Sequence, residues 1–269
     1  MSLIMVGTLA PIVAAEGEGH FPPKAEDFWL PLWQVGGFWI TRPMLLVAIS
    51  VVLLCTWLLI ATRNLTLVPS KGQWITEQVY DFVRNGIAKD MIGSHDFKPF
   101  VPFLFALFVF ILCNNWFGII PFLQLPTMSR IGFPIALVAL VYLVYHAVGI
   151  KRKGLGGYFS GMVPGGLPGW IKPVIFFLEL LTYFIIRPLT LALRLFGNMF
   201  AGHMLLVVFI VGGYELLINP DVLLKLVAIP TYLLAFIMTI FEALVQFLQA
   251  YVFTLLAASY IADSVADHH

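Results

Sequence analysis

Apolar runs separated by short polar segments dominate the chain, and they follow the length scale of a membrane. The runs 43–62, 100–120 and 131–149 contain no Asp, Glu, Lys or Arg, and each is long enough for one helical crossing. Two further runs, 173–211 and 226–262, extend to about 40 residues each. The pattern predicts an all-α integral membrane protein with about five membrane helices.

The last two runs require an unusual geometry. A helix of about 40 residues is roughly 60 Å long, whereas the hydrocarbon core of a bilayer is about 30 Å thick. Two such helices in succession must be strongly tilted, broken or protruding. We therefore predict a long, strongly tilted antiparallel hairpin, with Pro188 and Pro230 as positions where its helices can kink.

One polar segment between the crossings, residues 71–92, has the period of an amphipathic helix. Ser70 and Gln73 fit a capping box at its start. The helix is interpreted either as lying on the cytoplasmic membrane surface or a partner, or as a plain connection. Its apolar positions are Ile75, Val79, Phe82, Val83, Ile87 and Met91.

The positive charges predict the orientation of a single membrane domain covering residues 1–269. Segments 63–98 and 151–172 are richer in lysine and arginine than the opposite side, so they are predicted to be cytoplasmic. Five crossings then place the external region 1–42 outside and the carboxyl terminus inside. Residues 1–15 are either an uncleaved tail or a cleaved signal. The glycine-rich stretch 154–169 is interpreted as a flexible connector. The positive residues on the predicted cytoplasmic side are Arg63, Lys71, Arg84, Lys89, Lys98, Lys151, Arg152, Lys153 and Lys172.

Composition adds little beyond the membrane class. The chain is 61% hydrophobic and 11% charged, and its formal net charge of +1 indicates no nucleic-acid partner. Cys55 and Cys113 lie in apolar runs and are interpreted as packing residues, without a disulfide, a metal site or a cofactor.

Arg194 is the most informative residue, because no other charge lies between Arg187 and Glu215. A guanidinium cannot lose its proton, and its insertion at the centre of a membrane helix costs roughly 2.5–3.5 kcal/mol. A charge kept at this cost indicates a functional position rather than a packing one.

Other polar residues fall into a register with Arg194. Glu242, Gln246 and Gln249 share one helix face, because their spacings are four and three. In an antiparallel hairpin, facing residues have numbers with a nearly constant sum. This rule pairs Arg194 with Gln249, Asn198 with Gln246, and His203 with Glu242. We predict a polar strip along the seam of the two long helices.

The pair His203 and Glu242 suggests a proton relay, because histidine titrates near neutral pH and carboxylate–histidine pairs occur in pumps. His203 lies about 180° around an ideal helix from Arg194. Either the helix bends at Gly197 or Gly202, or Arg194 faces a partner while His203 faces a separate cavity. Glu179 either lines an exit path or is an interfacial carboxylate.

The segments RPLTLALRLFGNMFAGH (187–203) and EALVQFLQAYVFTLL (242–256), with Asn114, Asn115, Trp116, Gly118 and Pro121, resemble subunit a of the rotary F-type ATP synthases. This family is the stator of a proton motor in the bacterial plasma membrane. Its partners are the carboxylate-bearing ring of c subunits, the b subunits of the peripheral stalk, the remaining synthase subunits and lipid. The resemblance implies a subunit that is not itself an enzyme.

The resemblance also implies residue roles. Arg194 matches the arginine that faces the ring and separates two half-channels. Asn198, His203, Glu242 and Gln249 match polar positions of the proton path, with the histidine first as in mitochondrial-type members. Gln246 is assigned to the path from its register alone. The family's cytoplasmic acid lies one residue away from Glu179 in an ungapped match.

Two other classes of protein remain as alternatives. A proton-coupled secondary transporter would use the same relay, but such transporters usually contain repeats with broken helices. A purely structural scaffold leaves Arg194, His203 and Glu242 unexplained.

Overall fold

The computed structural model describes residues 31–35, 38–63, 66–120, 127–162 and 168–266. Before the first crossing, strands β1 (Pro31–Val35) and β2 (Phe38–Thr41) form a short antiparallel hairpin. The remaining regular structure of the described residues is helical. The helices are α1 (Arg42–Thr62), α2 (Lys71–Val83), α3 (Val101–Trp116), α4 (Gly132–Ser160), α5 (Lys172–Leu181), α6 (Arg187–Ile218) and α7 (Val222–Val265).

The prediction of an all-α membrane protein with five crossings is confirmed. Five helical stretches are long and apolar enough to span a membrane. The last two are the longest: Lys172–Ile218, which contains α5 and α6, has 47 residues, and α7 has 44. Most of the external region 1–42, including residues 1–15, lies outside the described residues.

The two long helices are joined by a shorter connection than the sequence suggested. The expected ends at 211 and 226 were set by Glu215 and Lys225, yet both residues are helical. The turn consists of residues 219–221 instead. Asn219 Oδ1 accepts a hydrogen bond from the Asp221 main-chain N–H (3.1 Å), and Asp221 Oδ1 accepts one from Leu223 N–H (3.0 Å). Asp221 thus caps α7, a signal that the charge pattern obscured.

A π-helical turn, Thr182–Ile186, joins α5 to α6. The Arg187 N–H bonds to the Thr182 carbonyl, five residues back. The ring of Pro188 would clash with the carbonyl four residues earlier in a regular helix, and the wider turn relieves that clash. The extra residue shifts the faces of α5 relative to α6, so Glu179 cannot be aligned with Arg194 by ideal helical spacing.

The amphipathic segment is helical from Lys71 to Ile92, with a π-helical turn at Arg84–Lys89. Ser70 Oγ accepts from the Gln73 N–H (3.4 Å) as predicted, but the Gln73 side chain bonds to the Thr66 main chain. Val83 and Ile87 are fully buried, and the Phe82 ring lies 5.7 Å from those of Phe108 and Tyr251. The second half of this segment therefore packs on the membrane helices.

The glycine-rich stretch 154–169 is only partly a connector, because α4 continues to Ser160. The change of direction occurs at Gly154, whose φ of 70° and ψ of 165° are not helical. A positive φ of this kind is accessible mainly to glycine. Lys151 to Lys153 consequently lie on the helix rather than in a loop. Cys55 is exposed and Cys113 only partly buried, so packing accounts for the second cysteine alone.

The chain forms two compact units that do not follow its linear order. Unit 1 comprises Met1–Cys55, Phe110–Arg130 and Gly197–Gln249, and unit 2 comprises Thr56–Val109, Ile131–Phe196 and Ala250–His269. The division passes through α6 after Phe196 and through α7 after Gln249. Each unit contains one set of the polar residues singled out above.

Candidate proton-pathway sites

Arg194 is exposed on α6 within unit 2. Its neighbours on the outer surface are apolar: Leu193 is 45% exposed and Leu189 is 53% exposed. Within the described part of the chain, no carboxylate forms an ion pair with Arg194. A permanent cation on an apolar surface of a membrane protein is costly without an anionic partner.

Arg187 lies two helical turns before Arg194 and is held by its surroundings. Its Nη1 atom is 3.0 Å from Asp263 Oδ2, and its Cζ atom lies 3.8 Å from the Tyr183 ring centroid and 4.9 Å from that of Tyr260. Only 19% of the Arg187 side chain is exposed. An ion pair and two cation–π contacts therefore immobilise this guanidinium.

Unit 1 contains the second polar set on α7. Glu242, Gln246 and Gln249 are all buried, with exposed fractions of 6%, 2% and 8%. Gln246 Nε2 donates to Glu242 Oε1 at 2.8 Å. The opposite face of this stretch is apolar and exposed at Leu244 and Leu248. The helix thus turns its polar face toward the protein and its apolar face outward.

The same network reaches α3 through Asn115, whose Nδ2 donates to the Gln246 carbonyl at 3.3 Å. Three buried polar atoms here have no hydrogen-bond partner among the described residues: Asn115 Oδ1, Gln246 Oε1 and Gln249 Nε2. An unsatisfied polar atom in the membrane interior costs several kcal/mol. Ordered water is the simplest way to satisfy such a cluster.

A close approach in unit 1 brings α6 onto α7. A Cβ atom at Gly202 would collide with the carboxylate of Glu242, so a larger residue there would displace that carboxylate. Further along, a Cβ atom at Gly213 would lie 3.1 Å from the Tyr232 ring. The numbers of both pairs have the nearly constant sum of the predicted register, so the antiparallel register holds in this unit.

Three predicted residues lie on or before α6. Asn198 is partly buried and His203 is 6% exposed, both in unit 1. Both His203 and Arg194 lie on α6, which is helical from Arg187 to Ile218, but Arg194 is exposed in unit 2 whereas His203 is buried in unit 1. Glu179 lies on α5 and is partly exposed. The described contacts do not bring it together with the other predicted site residues.

A polar cluster of unit 1 was not predicted from the sequence. Asn114 Nδ2 donates to Ser50 Oγ at 3.0 Å, and Thr127 Oγ1 donates to Asn114 Oδ1 at 3.2 Å. These three residues are buried. The available signal was the pair of adjacent amides, Asn114 and Asn115, in an apolar run. Neighbouring side chains on a helix point in different directions, so each of the two amides needs its own polar partner.

The sequence matches the family ATP synthase A chain over residues 44–262. It is 44% identical to ATP synthase subunit a of Nocardioides sp., covering 95% of this chain and 96% of that protein. It is 42% identical to the subunit a of Pseudarthrobacter chlorophenolicus, covering 97% and 100%. The chain belongs to the ATP synthase A chain family. It is a multi-pass membrane protein, and the prediction of a non-catalytic subunit of an ATP synthase is confirmed by this membership.

Membership in the ATP synthase A chain family gives the two polar sets a common context. The exposed arginine of unit 2 carries a permanent charge, whereas the histidine and the glutamate of unit 1 can gain and lose protons.

Proposed function

We propose that the chain is the proton-translocating stator of the ATP synthase membrane motor. In this function, it provides two half-channels to the carboxylates of the c-ring, and Arg194 separates them. The observation that carries the proposal is the Arg194 guanidinium, which is exposed on an apolar face of α6 and forms no ion pair with any described residue, in a chain of this family.

The physical role of Arg194 follows from its charge. A ring carboxylate in a low-dielectric interface would bind a proton unless a cation stabilised its ionised form. Arginine provides that cation and exchanges no proton itself, so it also prevents a direct leak between half-channels. Each proton that crosses the field yields about 2.3 kcal/mol per 100 mV, which rotation transmits to catalytic subunits elsewhere.

The buried set of unit 1 supports a hydrated half-channel. His203, Glu242, Gln246, Gln249 and Asn198 are the residues that we assign to it, and Asn115 joins them through Gln246. The unsatisfied atoms of Asn115, Gln246 and Gln249 are suited to water, which conducts protons along such a path. Glu179 remains our candidate for the opposite half-channel.

The proposed partners are the c-ring, the b subunits of the peripheral stalk, the remaining synthase subunits and lipid. The positive-inside rule supports an external amino terminus and a cytoplasmic carboxyl terminus in the bacterial plasma membrane. Cysteine labelling of Lys71→Cys and Lys225→Cys in inverted and right-side-out vesicles tests this orientation. Labelling of both variants from the same side would contradict it.

The decisive experiment replaces Arg194 in the intact synthase. We expect Arg194→Ala to abolish ATP synthesis driven by a proton gradient, and Arg194→Lys to restore little, because a lysine in a low-dielectric interface with the ring can lose its proton. The exposed cation Lys225, replaced by alanine, is the matched control and should retain activity. Near-normal synthesis in Arg194→Ala membranes with normal assembly would contradict the proposal. If the chain purified in mild detergent with a bound solute and without a c-ring, the alternative of a proton-coupled secondary transporter would be favoured.

A further inference from the structure

Two arginines share one face of α6 in unit 2, but their environments differ. Arg187 and Arg194 are seven residues apart, which places them about two turns and roughly 10 Å apart on the same side of the helix. Both cations could in principle attract a carboxylate that moves past this face. The structure leaves Arg194 exposed and encloses Arg187.

Asp263 is the residue that compensates Arg187. Its Oδ2 atom lies 3.0 Å from Arg187 Nη1, while the rings of Tyr183 and Tyr260 restrict the guanidinium. The main-chain carbonyl of Asp263 also accepts a hydrogen bond from Lys153 Nζ at 3.4 Å. Without the Asp263 carboxylate, Arg187 and Lys153 would leave an excess of positive charge beside this helix face.

We propose that Asp263 is a positioning residue that neutralises and immobilises Arg187. As a result, of the two arginines on this face, only Arg194 interacts with the ring carboxylate. The inference rests on the proposed function, since it concerns which cation meets the ring. Asp263 would then act in the proton motor, and its ion pair would do more than stabilise the packing of α7 on α6.

The two partners of this ion pair should respond differently to neutralisation. Asp263→Asn releases a second cation about 10 Å from Arg194, which would hold the ring carboxylate and slow rotation. Arg187→Gln removes that competing cation and leaves Asp263, whose side chain is 41% exposed and can be solvated. A structural tie would instead be broken equally by either change.

The test measures ATP-driven proton pumping in vesicles, normalised to assembled synthase. We expect Asp263→Asn to lower pumping about fivefold or more, a size typical of coupled sites. Arg187→Gln should remain close to the parent. The double variant Arg187→Gln/Asp263→Asn should recover most of the loss, and Asp263→Glu should retain most activity. Asp90→Asn, which neutralises an exposed carboxylate of the same unit, is the control.

Each outcome supports or overturns the inference. Equal losses in Arg187→Gln and Asp263→Asn, or a double variant no better than Asp263→Asn, would show a structural tie only. If Asp263→Asn does not assemble, the same comparison is made between Asp263→Ser and Arg187→Gln/Asp263→Ser. Arg194→Ala, assayed in parallel, separates the proposed stator function from the role of Asp263. Normal activity in the Arg194→Ala variant overturns the proposed function. Loss there with normal Asp263→Asn pumping overturns only the role of Asp263.

Discussion

The polar residues of unit 1 and those of unit 2 hold charge in different ways. Unit 2 presents permanent cations, one exposed and one paired with Asp263. Unit 1 buries Glu242, which accepts a hydrogen bond from the Gln246 amide, and it also buries His203. Fixed charge suits the holding of an anion, whereas titratable groups near neutral amides suit the exchange of protons. The two halves of α6 thus carry separate parts of one proposed mechanism.

The largest expected effect on unit 1 concerns the relay between His203 and Glu242. Removing either titratable group should reduce proton-driven ATP synthesis severely, since proton transfer by a positioned group contributes about 100-fold or more to rates. The exchanged variant His203→Glu/Glu242→His keeps one acid and one base, so it should recover more activity than either single change.

Proton pumping and ATP synthesis in the two single variants and the exchanged variant, normalised to assembled complex, test the relay. The relay is wrong if the exchanged variant is as inactive as the worse single change. It is also wrong if both single changes leave activity intact. His203 would then be a buried polar residue with a local partner.

A second prediction uses the contact between Gly202 and Glu242. Gly202→Ala places a methyl group against the carboxylate of Glu242, whose displacement disturbs its hydrogen bond with Gln246, and we expect activity to fall about tenfold or more. Gly197→Ala is the matched control, because no atom lies within 4 Å of a Cβ atom there. That change should preserve synthesis and favour the helix by about 1 kcal/mol. Similar losses in both variants would mean that the close approach is unimportant.

The antiparallel register makes an intermediate prediction that does not depend on activity. Cysteines at positions 203 and 242, in a background without Cys55 and Cys113, should form a disulfide, because bridging requires Cα atoms within about 7 Å. The pair 202 and 232 is a control that the register keeps apart. Efficient bridging of 203 to 249, with none to 242, would show that the register is wrong by two turns.

The shared helix face of the buried polar residues on α7 could be predicted from the sequence because it depends on local periodicity. Helical spacing placed Glu242, Gln246 and Gln249 on one face, and their burial agrees with it. The π-helical turn at Thr182–Ile186 was not predictable in this way, since one extra residue in a turn leaves the apolar pattern intact. Ideal helical spacing therefore cannot tell whether Glu179, which lies before this turn, shares a helix face with the residues after it.

Long-range polar contacts were equally inaccessible to sequence reasoning. The bond between Ser50 and Asn114 joins residues 64 positions apart, and a serine in an apolar helix is an ordinary residue. The pairing of Arg187 with Asp263 likewise requires the path of α7 past α6. The sequence shows which polar residues cost free energy in a membrane, whereas only the fold shows which of them form hydrogen bonds or ion pairs with each other.

The smallest expected effect comes from an ion pair of unit 2 that joins α4 to the segment before α3. Arg152 pairs with Asp96, and Nη1 of Arg152 also donates to the Val265 carbonyl at 2.9 Å. The hydrogen bond from Arg152 lowers the pKa of Asp96 below its usual value near 3.9. A carboxyl group with a depressed pKa contributes stability above its unfolded pKa, and this contribution disappears as the pH falls through the folded pKa. Both side chains are partly exposed, so the pair should contribute little to stability.

Asp96→Asn should therefore leave ATP synthesis nearly unchanged and lower the midpoint of thermal unfolding of the detergent-solubilised synthase only slightly at pH 7. Below the lowered pKa of Asp96, the parent and the variant should unfold alike. A large loss of synthesis at pH 7 would instead mean that the pair supports the cytoplasmic end of the proton path.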